Sequence, residues 1–428
     1  MTNLEGKKLL ILGGNPETIP LVEAANRLGV KTIVTSNKLD DPAKKYAWKA
    51  ADVDGMDVAN LIMLAEKENV DGVLVGVADI LVPTYCKVCN ALNLPCYATD
   101  EIVNVFSYKD IFKATFERFG IHGIPEYYLD ENLRKEDIEK IEYPVMVKPV
   151  DGYSGIGMTV CYSENDLKKA VNKAKDASFC GRFIVEKYMN CDDVGLYYTF
   201  KEGECVLSSI FDRYTCSEQK GVSKVNLAGI YPSKHINDYF ERMHKNAVRL
   251  FRTIGIKNGV LLLQAYFIDG EFYVYDTGFR LQGEAPHILI EKLNELSQPE
   301  MLVRFALTGS EGDFEISEFE KASMDGKYGA TLWFLLKAGE ISKIVGMDDF
   351  AKYDVIYNGQ RFHEGDEIKP EWIGTEKQVF TRLYIISENA KKLEQNIKSL
   401  QSKIDVLDKD GQSMLIRGVN TDIVWGRK

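Results

Sequence analysis

The sequence predicts a protein of mixed α/β and α+β class, with a doubly wound domain at its N-terminus and a small α+β unit at its C-terminus. Three observations support this class. Short apolar strands alternate with amphipathic stretches over residues 1–100, strand pairs typical of hairpins follow, and short strands with a helix end the chain. With 428 residues, the chain has room for about three units of roughly 100–200 residues each.

The N-terminal domain is predicted from a repeated strand-helix alternation, and we assign residues 1–106 to it. Its predicted elements are a strand at 8–12, a helix ending near Leu28, strands at 31–35 and 72–75, and a helix at 83–93. The Gly13-Gly14 turn lacks the GxGxxG pattern, and no acidic residue ends the second strand, which disfavours a dinucleotide cofactor. We expect these glycines to serve a tight turn whose amides face a substrate anion.

Hairpin patterns replace this alternation in the rest of the chain. The predicted elements are strands at 143–149, 158–161 and 182–186, a helix at 164–177, strands at 194–200, 205–211, 259–268 and 271–276, and a helix at 387–403. We therefore assign three further units to residues 107–190, 191–328 and 329–428.

Composition limits the classes of partner. The apolar share of 45% and charged share of 27% are those of a soluble globular protein, and a net charge of −11 gives no support to nucleic-acid binding. No signal-peptide pattern or long apolar run is present, so we expect a cytoplasmic protein without a membrane partner. The CxxC pair Cys86 and Cys89 lacks a second ligand pair, which favours helix packing over a metal or redox role.

A glycine-rich loop suggests phosphate binding. The segment from Asp151 to Met158 places three glycines between two strands, which suits a loop with exposed amides. It is not a Walker A loop, because Lys148 precedes the loop instead of opening a helix after it. A plain hairpin turn is the alternative for the loop alone. Lys109 precedes a helix earlier in the chain, and the two lysines are predicted to converge on a phosphate.

The segments that follow suggest the rest of a nucleotide site. Val185-Glu186-Lys187-Tyr188-Met189 joins an apolar strand to a polar turn, which offers backbone groups to an adenine edge, and Asp193 could accept ribose hydroxyls.

A hairpin with polar residues on both strands predicts a magnesium site. Asp269-Gly270 is a tight-turn signal between two apolar runs, so Gln264 and Asp276 are expected to lie near each other. Both supply the oxygen ligands that Mg²⁺ prefers. Arg280 follows and could neutralise charge on a phosphoryl or carboxylate group.

Taken together, these motifs resemble the ATP-grasp superfamily in order and spacing, over most of the chain. The resemblance implies an N-terminal pre-ATP-grasp domain at 1–106, a small lid subdomain at 107–190, a large subdomain with the metal site at 191–328, and a C-terminal α+β domain. It implies ATP contacts for Lys109, Lys148, Gly152, Tyr153, Ser154, Gly155, Ile156, Gly157, Glu186, Lys187, Tyr188, Met189 and Asp193. It implies metal ligands at Gln264 and Asp276.

Two positions depart from the usual superfamily motif. Asp276 stands where a glutamate is usual, and Gly278 stands where an asparagine is usual, so a ligand of the second magnesium ion is missing. Gln264 is similar to the first ligand of carbamoyl-phosphate synthetases. The turn at Arg280, Leu281, Gln282, Gly283 and Glu284 looks like the carboxylate-binding turn of L-amino-acid ligases.

The remaining assignments concern substrate and catalysis. Arg280 and Gly283 are predicted to contact a carboxylate substrate, and Asp79 is predicted to contact a substrate or to cap a helix. Lys224 lies near the position of a basic residue that biotin carboxylases place at the γ-phosphate, which makes it a catalytic candidate with Arg280.

The resemblance favours a carboxylate-amine ligase that uses ATP and Mg²⁺, with Mn²⁺ as an alternative ion, and forms an acyl phosphate. A bicarbonate-using enzyme similar to biotin carboxylases or carbamoyl-phosphate synthetases is one alternative. A nucleotide-binding protein with impaired turnover, motivated by Gly278, is another. The expected partners are small carboxylate and amine substrates, and a homodimer is compatible with the sequence.

Overall fold

A computed structural model of the chain describes residues 3–130, 132–152, 156–216 and 225–426. Within these ranges, no helix combines the length and apolar character needed to cross a membrane. The architecture consists of a parallel sheet, a small antiparallel sheet and a nine-stranded sheet, with two short strand pairs near the C-terminus.

The N-terminal domain is built on a four-stranded parallel sheet in the order β3-β2-β1-β4. Its elements are β1 (Lys8–Leu12), α1 (Ile19–Arg27), β2 (Lys31–Thr35), β3 (Lys49–Ala51), α2 (Val58–Glu68), β4 (Gly72–Val75) and α3 (Val82–Leu92). Residues Leu9 to Leu12 are fully buried, as expected for a parallel strand covered on both faces. Because β2 and β4 lie on opposite sides of β1, a crevice opens at the carboxyl ends of β1 and β4.

A small antiparallel sheet follows, in the order β6-β9-β7-β8. The elements of this region are α4 (Asp100–Ser107), α5 (Lys109–Glu117), β5 (His122–Gly123), β6 (Glu126–Tyr127), α6 (Lys135–Ile138), β7 (Val145–Pro149), β8 (Thr159–Cys161), α7 (Glu164–Ala177) and β9 (Phe183–Lys187). The amide of Ser163 donates to Asp166 Oδ2 at 3.1 Å, which caps the start of α7. Leu167, Ala170 and Val171 of α7 pack on the apolar residues of β7 and form the core of this lid-like sheet.

The nine-stranded sheet carries the central part of the chain. Its elements and the helices around it are β10 (Asp192–Lys201), β11 (Glu204–Cys216), β12 (Val225–Tyr231), α8 (Ile236–Arg242), α9 (His244–Thr253), β13 (Gly259–Ile268), β14 (Glu271–Gly278), α10 (His287–Asn294) and α11 (Gln298–Thr308). Asp269 and Gly270 both have positive φ, at 53° and 83°, which confirms the predicted tight turn between β13 and β14. Helix α11 packs against β4 and α1, so the large sheet and the N-terminal domain share one core.

The C-terminal segment continues the same sheet. Its elements are β15 (Tyr328–Leu335), β16 (Gly339–Glu340), β17 (Lys343–Val345), β18 (Val355–Asn358), β19 (Glu367–Ile368), β20 (Val379–Ser387), α12 (Ala390–Lys403), β21 (Asp405–Leu407) and α13 (Thr421–Val424). The full strand order is β18-β20-β15-β12-β11-β10-β13-β14-β5. Helix α12 packs on β15 and β20, and this segment has a core of its own that includes Trp333.

Candidate active site

Gln264 and Asp276 are direct cross-strand partners on β13 and β14. Residues opposite each other in an antiparallel pair point to the same face, so the two side chains are neighbours. A β-bulge interrupts the register beside them, between Gln264 and Ala265, and bulges re-aim the side chains next to them. The Asp276 side chain is 41% exposed, which leaves its carboxylate accessible to a ligand.

Lys109 connects this strand pair to the glycine-rich loop. Its Nζ lies 2.9 Å from Asp276 Oδ1 and donates to the carbonyl oxygen of Gly152 at 2.9 Å. Its backbone amide donates to the carbonyl of Val150 at 2.9 Å, which holds the start of α5 against the end of β7. Desolvation in the cleft raises the pKa of Asp276. The charge and hydrogen bond of Lys109, together with the charges of Lys148 and Arg280, lower it by more, so the pKa lies below its ordinary value.

Lys148 and Glu186 form a buried ion pair in the small sheet. The distance from Lys148 Nζ to Glu186 Oε2 is 2.6 Å, and Lys113 Nζ lies 2.8 Å from Glu186 Oε1. Burial raises the pKa of Glu186, but Lys148 and Lys113 outweigh it, so the pKa is lowered and the carboxylate stays ionised. Burial lowers the pKa of Lys148, and Glu186 offsets this in part. Lys148 Nζ also donates to the carbonyl of Tyr275, next to Asp276, at 3.4 Å.

The glycine-rich loop joins β7 to β8, as the sequence predicts. At Gly157, whose φ is 78°, a β-carbon would lie 2.5 Å from Ala177 Cβ, so this position requires glycine. Ile156 is exposed. The predicted contacts Tyr153, Ser154 and Gly155 lie outside the described residues.

The predicted adenine segment forms the end of β9 and the turn after it. The amides of Lys187 and Tyr188 donate to the carbonyls of Pro125 and Pro144, at 2.9 and 3.1 Å. Met189 follows in the turn and is half-buried. These two amides are therefore already bonded within the protein, and Glu186 directs its carboxylate to lysines.

Asp193 lies in a buried polar network on the same sheet. Its Oδ2 is 2.9 Å from Arg213 Nη1, and the Tyr275 hydroxyl donates to its Oδ1 at 2.9 Å. Arg213 Nη2 in turn lies 2.7 Å from Glu284 Oε1. The ring of Tyr275 stacks on Tyr266 with centroids 4.5 Å apart. This network joins Asp193 to the turn that follows Arg280.

Arg280 is 9% exposed and binds a carboxylate from the N-terminal domain. Its Nη2 donates to Asp79 Oδ2, and its Nη1 donates to the carbonyl of Leu281 at 2.9 Å and to Gln282 Oε1 at 3.0 Å. Burial raises the pKa of Asp79, although the charge of Arg280 opposes the shift. Asp79 follows β4 in the crevice of the parallel sheet, so the structure brings it together with Arg280 as an ion pair.

Two arginines that pair with Glu17 were not predicted from the sequence, and one of them, Arg382, is buried beside Gly283. Arg382 Nη1 donates to the Gly283 carbonyl, and Arg382 Nη2 lies 3.3 Å from Glu17 Oε1. Arg361 Nη2 pairs with the same oxygen of Glu17. Arg382 lies in β20 and Arg361 lies in a loop of the C-terminal segment. The sequence gives a signal only for Arg382, as a charged residue within an apolar run.

The CxxC pair lies in the buried core of the N-terminal domain. Lys224 lies outside the described residues. Cys86 and Cys89 are buried on α3, where the Cys86 thiol contacts the Ala98 carbonyl, as helix packing predicts. His287 is buried, and neither of its ring nitrogens has a hydrogen-bond partner in the part of the chain that the structure describes.

A family model and a curated relative each match part of the chain in sequence. The family model described as D-ala D-ala ligase C-terminus matches residues 110–260. A curated relative, the carbamoyl phosphate synthase large chain of Clostridium beijerinckii, is 25% identical over 306 residues. This alignment covers 66% of the present chain, and the chain spans 27% of the length of that relative.

Solved structures match nearly the whole chain in shape. The L-amino acid ligase from Bacillus licheniformis has a TM-score of 0.77 at 18% identity, covering 95% of this chain and 99% of that one. The biotin carboxylase from Campylobacter jejuni, solved as a β-γ-ATP complex, has a TM-score of 0.73 at 18% identity, covering 94% and 92%.

These matches define the class: the chain has the ATP-grasp fold, and the resemblance and the mixed α/β and α+β class predicted from the sequence are confirmed. More particularly, its sequence is similar to that of carbamoyl phosphate synthase large chains, and its shape is similar to that of an L-amino acid ligase and a biotin carboxylase.

Proposed function

We propose that this chain is an ATP-dependent ligase that joins a small carboxylate to an amine through an acyl phosphate. The observation that carries the proposal is the position of Lys109, whose Nζ is bonded both to Asp276 and to the Gly152 carbonyl. One cation thus lies between a glycine-rich loop and an accessible carboxylate. A nucleotide polyphosphate at this point would meet Lys109 and Lys148 from the same side.

The residues around Asp276 fit a magnesium ion. Gln264 and Asp276 supply an amide oxygen and a carboxylate on one face, and both are hard donors. Among the described residues, no group of three or more His, Cys, Asp or Glu could hold a metal by itself. This suits Mg²⁺, which usually takes one or two carboxylates and completes its shell with phosphate and water. When bound, the ion would neutralise charge on the transferred phosphoryl group. Mn²⁺ is the alternative ion.

The lysines and the loop would hold ATP in place. The charge of Lys148 is retained close to the cleft by Glu186, and Lys109 is held by Asp276. Phosphoryl transfer depends mainly on such positioning and on neutralising spreading charge, so no covalent protein nucleophile is needed. In this proposal, a carboxylate oxygen attacks the γ-phosphorus and ADP leaves. An amine then attacks the acyl carbon and phosphate leaves.

The arginines beside the crevice support an anionic substrate. The Nε atoms of Arg280 and Arg382 are buried and have no hydrogen-bond partner among the residues described. Both arginines adjoin the turn at Gly283. A carboxylate is the natural partner of a guanidinium, because the two planar groups match in geometry and charge. We therefore assign the carboxylate substrate to the crevice between Arg280 and the N-terminal domain.

A second candidate is a bicarbonate-using ligase. It is favoured by the relative named carbamoyl phosphate synthase and by the shape of the biotin carboxylase. The same lysines and metal ligands would serve it, and the two candidates differ in the first substrate. Homodimer formation stays a prediction for either one, and gel filtration with light scattering tests it.

A hydroxamate assay tests the proposed function. The chain is incubated with MgATP, hydroxylamine and pools of carboxylates, and we expect hydroxamate and phosphate to form together in one pool. Turnover that requires bicarbonate alone would favour the second candidate, and tight ATP binding without ADP release in any pool would refute both ligase reactions.

Two variants on one strand provide the control for this assay. We expect Asp276→Ala to abolish turnover, because it removes the proposed metal ligand and the partner of Lys109. Glu271→Ala should leave turnover unchanged, because Glu271 lies at the turn end of β14 and faces Arg242 at 3.4 Å. Full magnesium-dependent activity in Asp276→Ala would show that the metal assignment is wrong.

A further inference from the structure

Gly278 is surrounded by polar atoms that leave no room for a side chain. It lies two residues after Asp276 on β14, so a side chain there would share the face of the Asp276 carboxylate. A β-carbon at Gly278 would lie 2.9 Å from Asp79 Oδ1 and 3.3 Å from Arg280 Cζ. The space that an asparagine would use is therefore occupied by a carboxylate from another part of the chain.

Asp79 reaches this space from the carboxyl end of β4, where it begins a short helical turn. Its two oxygens face different groups. Oδ2 accepts from Arg280, whereas Oδ1 lies 2.9 Å from the place of a β-carbon on Gly278, beside the space that an asparagine side chain would use. The Asp79 side chain is 35% exposed, so the carboxylate is partly accessible from the cleft.

The charges around Asp79 are those of the proposed nucleotide site. Arg280 and Lys109 are the cations that act on it, and Asp276 is the anion. A carboxylate is at least as good a magnesium donor as an amide oxygen. The cleft therefore has an oxygen donor at this place, although residue 278 supplies none.

We propose that Asp79 supplies the divalent-ion ligand that Gly278 lacks, so that the second metal site is completed by the N-terminal domain. The inference rests on the proposed MgATP function of the same cleft. It means that the ion bound between Asp79 and Asp276 would tie the parallel sheet to the nine-stranded sheet, and that nucleotide-bound metal would stabilise the two parts together.

The test moves the proposed ligand from position 79 to position 278 and uses Mn²⁺ as the probe. The full-length chain is titrated with Mn²⁺ in the presence of a non-hydrolysable ATP analogue, and free Mn²⁺ is followed by electron paramagnetic resonance. We expect two ions per chain in the natural protein and one in Asp79→Ala. Adding Gly278→Asn to Asp79→Ala should restore the second ion, because the space for the amide has been vacated. Gly278→Asn alone should lower the melting temperature, because Asp79 still fills that space.

Controls separate this inference from the proposed function. Glu101→Ala, an exposed change on α4, should bind two ions as the natural protein does. Two ions in Asp79→Ala, or one ion in the natural protein, would overturn the inference and leave the proposed function intact. No nucleotide-dependent Mn²⁺ binding in the natural protein would overturn both. Asp79→Asn, which keeps the side-chain volume, replaces Asp79→Ala if the latter does not fold, and it should weaken the second ion.

Discussion

Replacing Glu186 by glutamine tests how the small sheet holds its lysines. Glu186 is 2% exposed and pairs with Lys148 at 2.6 Å and Lys113 at 2.8 Å. Lys113 keeps a second partner, Glu126, at 2.7 Å. Lys148 has no other anion within ion-pair distance among the described residues, so Glu186→Gln leaves it buried with its charge uncompensated.

The expected loss of stability follows from this burial. Removing one partner of a buried ion pair costs about 3–5 kcal/mol, because the remaining charge has lost its compensation. For the unit at residues 107–190, of about 80 residues, each kcal/mol lowers the melting temperature by about 4–8 °C, so the transition of this unit should shift down by more than about 10 °C. Glu136→Gln is the matched control, since Glu136 is 71% exposed and lies 3.7 Å from Arg134 in the same sheet region. An exposed pair of this kind contributes less than about 1 kcal/mol.

Calorimetry and urea unfolding of both variants measure the difference. Nucleotide binding provides a second measurement, because Lys148 is a proposed phosphate ligand. Its pKa is already lowered by burial, and losing Glu186 lowers it further. Affinity for the ATP analogue should therefore decline at a lower pH in Glu186→Gln than in the natural protein. A melting temperature within 1 °C of the natural value, or equal losses in the two variants, would refute this reasoning.

Three further predictions concern buried ionisable side chains elsewhere. Burial raises the pKa of Glu311 to about 7, so the fold favours its neutral form and stability declines as pH rises from about 4.5 through 7. Glu311→Gln should remove this decline, which we expect to be about 1–2 kcal/mol. Melting curves at pH 5 and pH 8 measure it. Burial lowers the pKa of His287 to about 4, so stability is lost as pH decreases from about 6.5 through 4. His287→Leu should reduce that loss of stability in acid. An acid transition unchanged by His287→Leu would contradict this prediction. Arg382 lies 3.8 Å above the Trp333 ring and pairs with Glu17, so Arg382→Leu should cost about 3–5 kcal/mol in urea unfolding, whereas an exposed change such as Lys391→Leu should cost little.

Local pattern was enough to predict several elements to the residue. The helix at 164–177 and the strand at 259–268 have the bounds that the sequence predicted, because a capping residue and a tight turn mark their ends. Strands β12, β15 and β20 were not predicted. Strands β15 and β20 are interior strands of a large sheet, buried along most of their length, and their apolar runs lack the alternation that identifies a half-exposed strand.

The same local reasoning predicted one neighbouring pair of side chains in the candidate site. Gln264 and Asp276 were predicted to be neighbours because a short hairpin sets their register, and they are cross-strand partners. The pairing of Glu186 with lysines was not predicted, because the segment was interpreted as backbone for an adenine edge. Its partner Lys113 lies 73 residues away, and no periodicity links the two.

The sequence by itself therefore determined many of the local elements, the ATP-grasp resemblance and the pairing of Gln264 with Asp276. The local elements and this pairing depend on contacts between residues close along the chain. The tertiary structure alone decided what surrounds them. Asp79 and Arg280 are 201 residues apart, and Glu17 and Arg361 are 344 apart. Such pairs form only when the chain folds and the parallel sheet packs against the nine-stranded sheet. Gly278 illustrates this difference. In the sequence, it stands where the superfamily usually has a metal ligand. In the fold, the space beside it is filled by the Asp79 carboxylate.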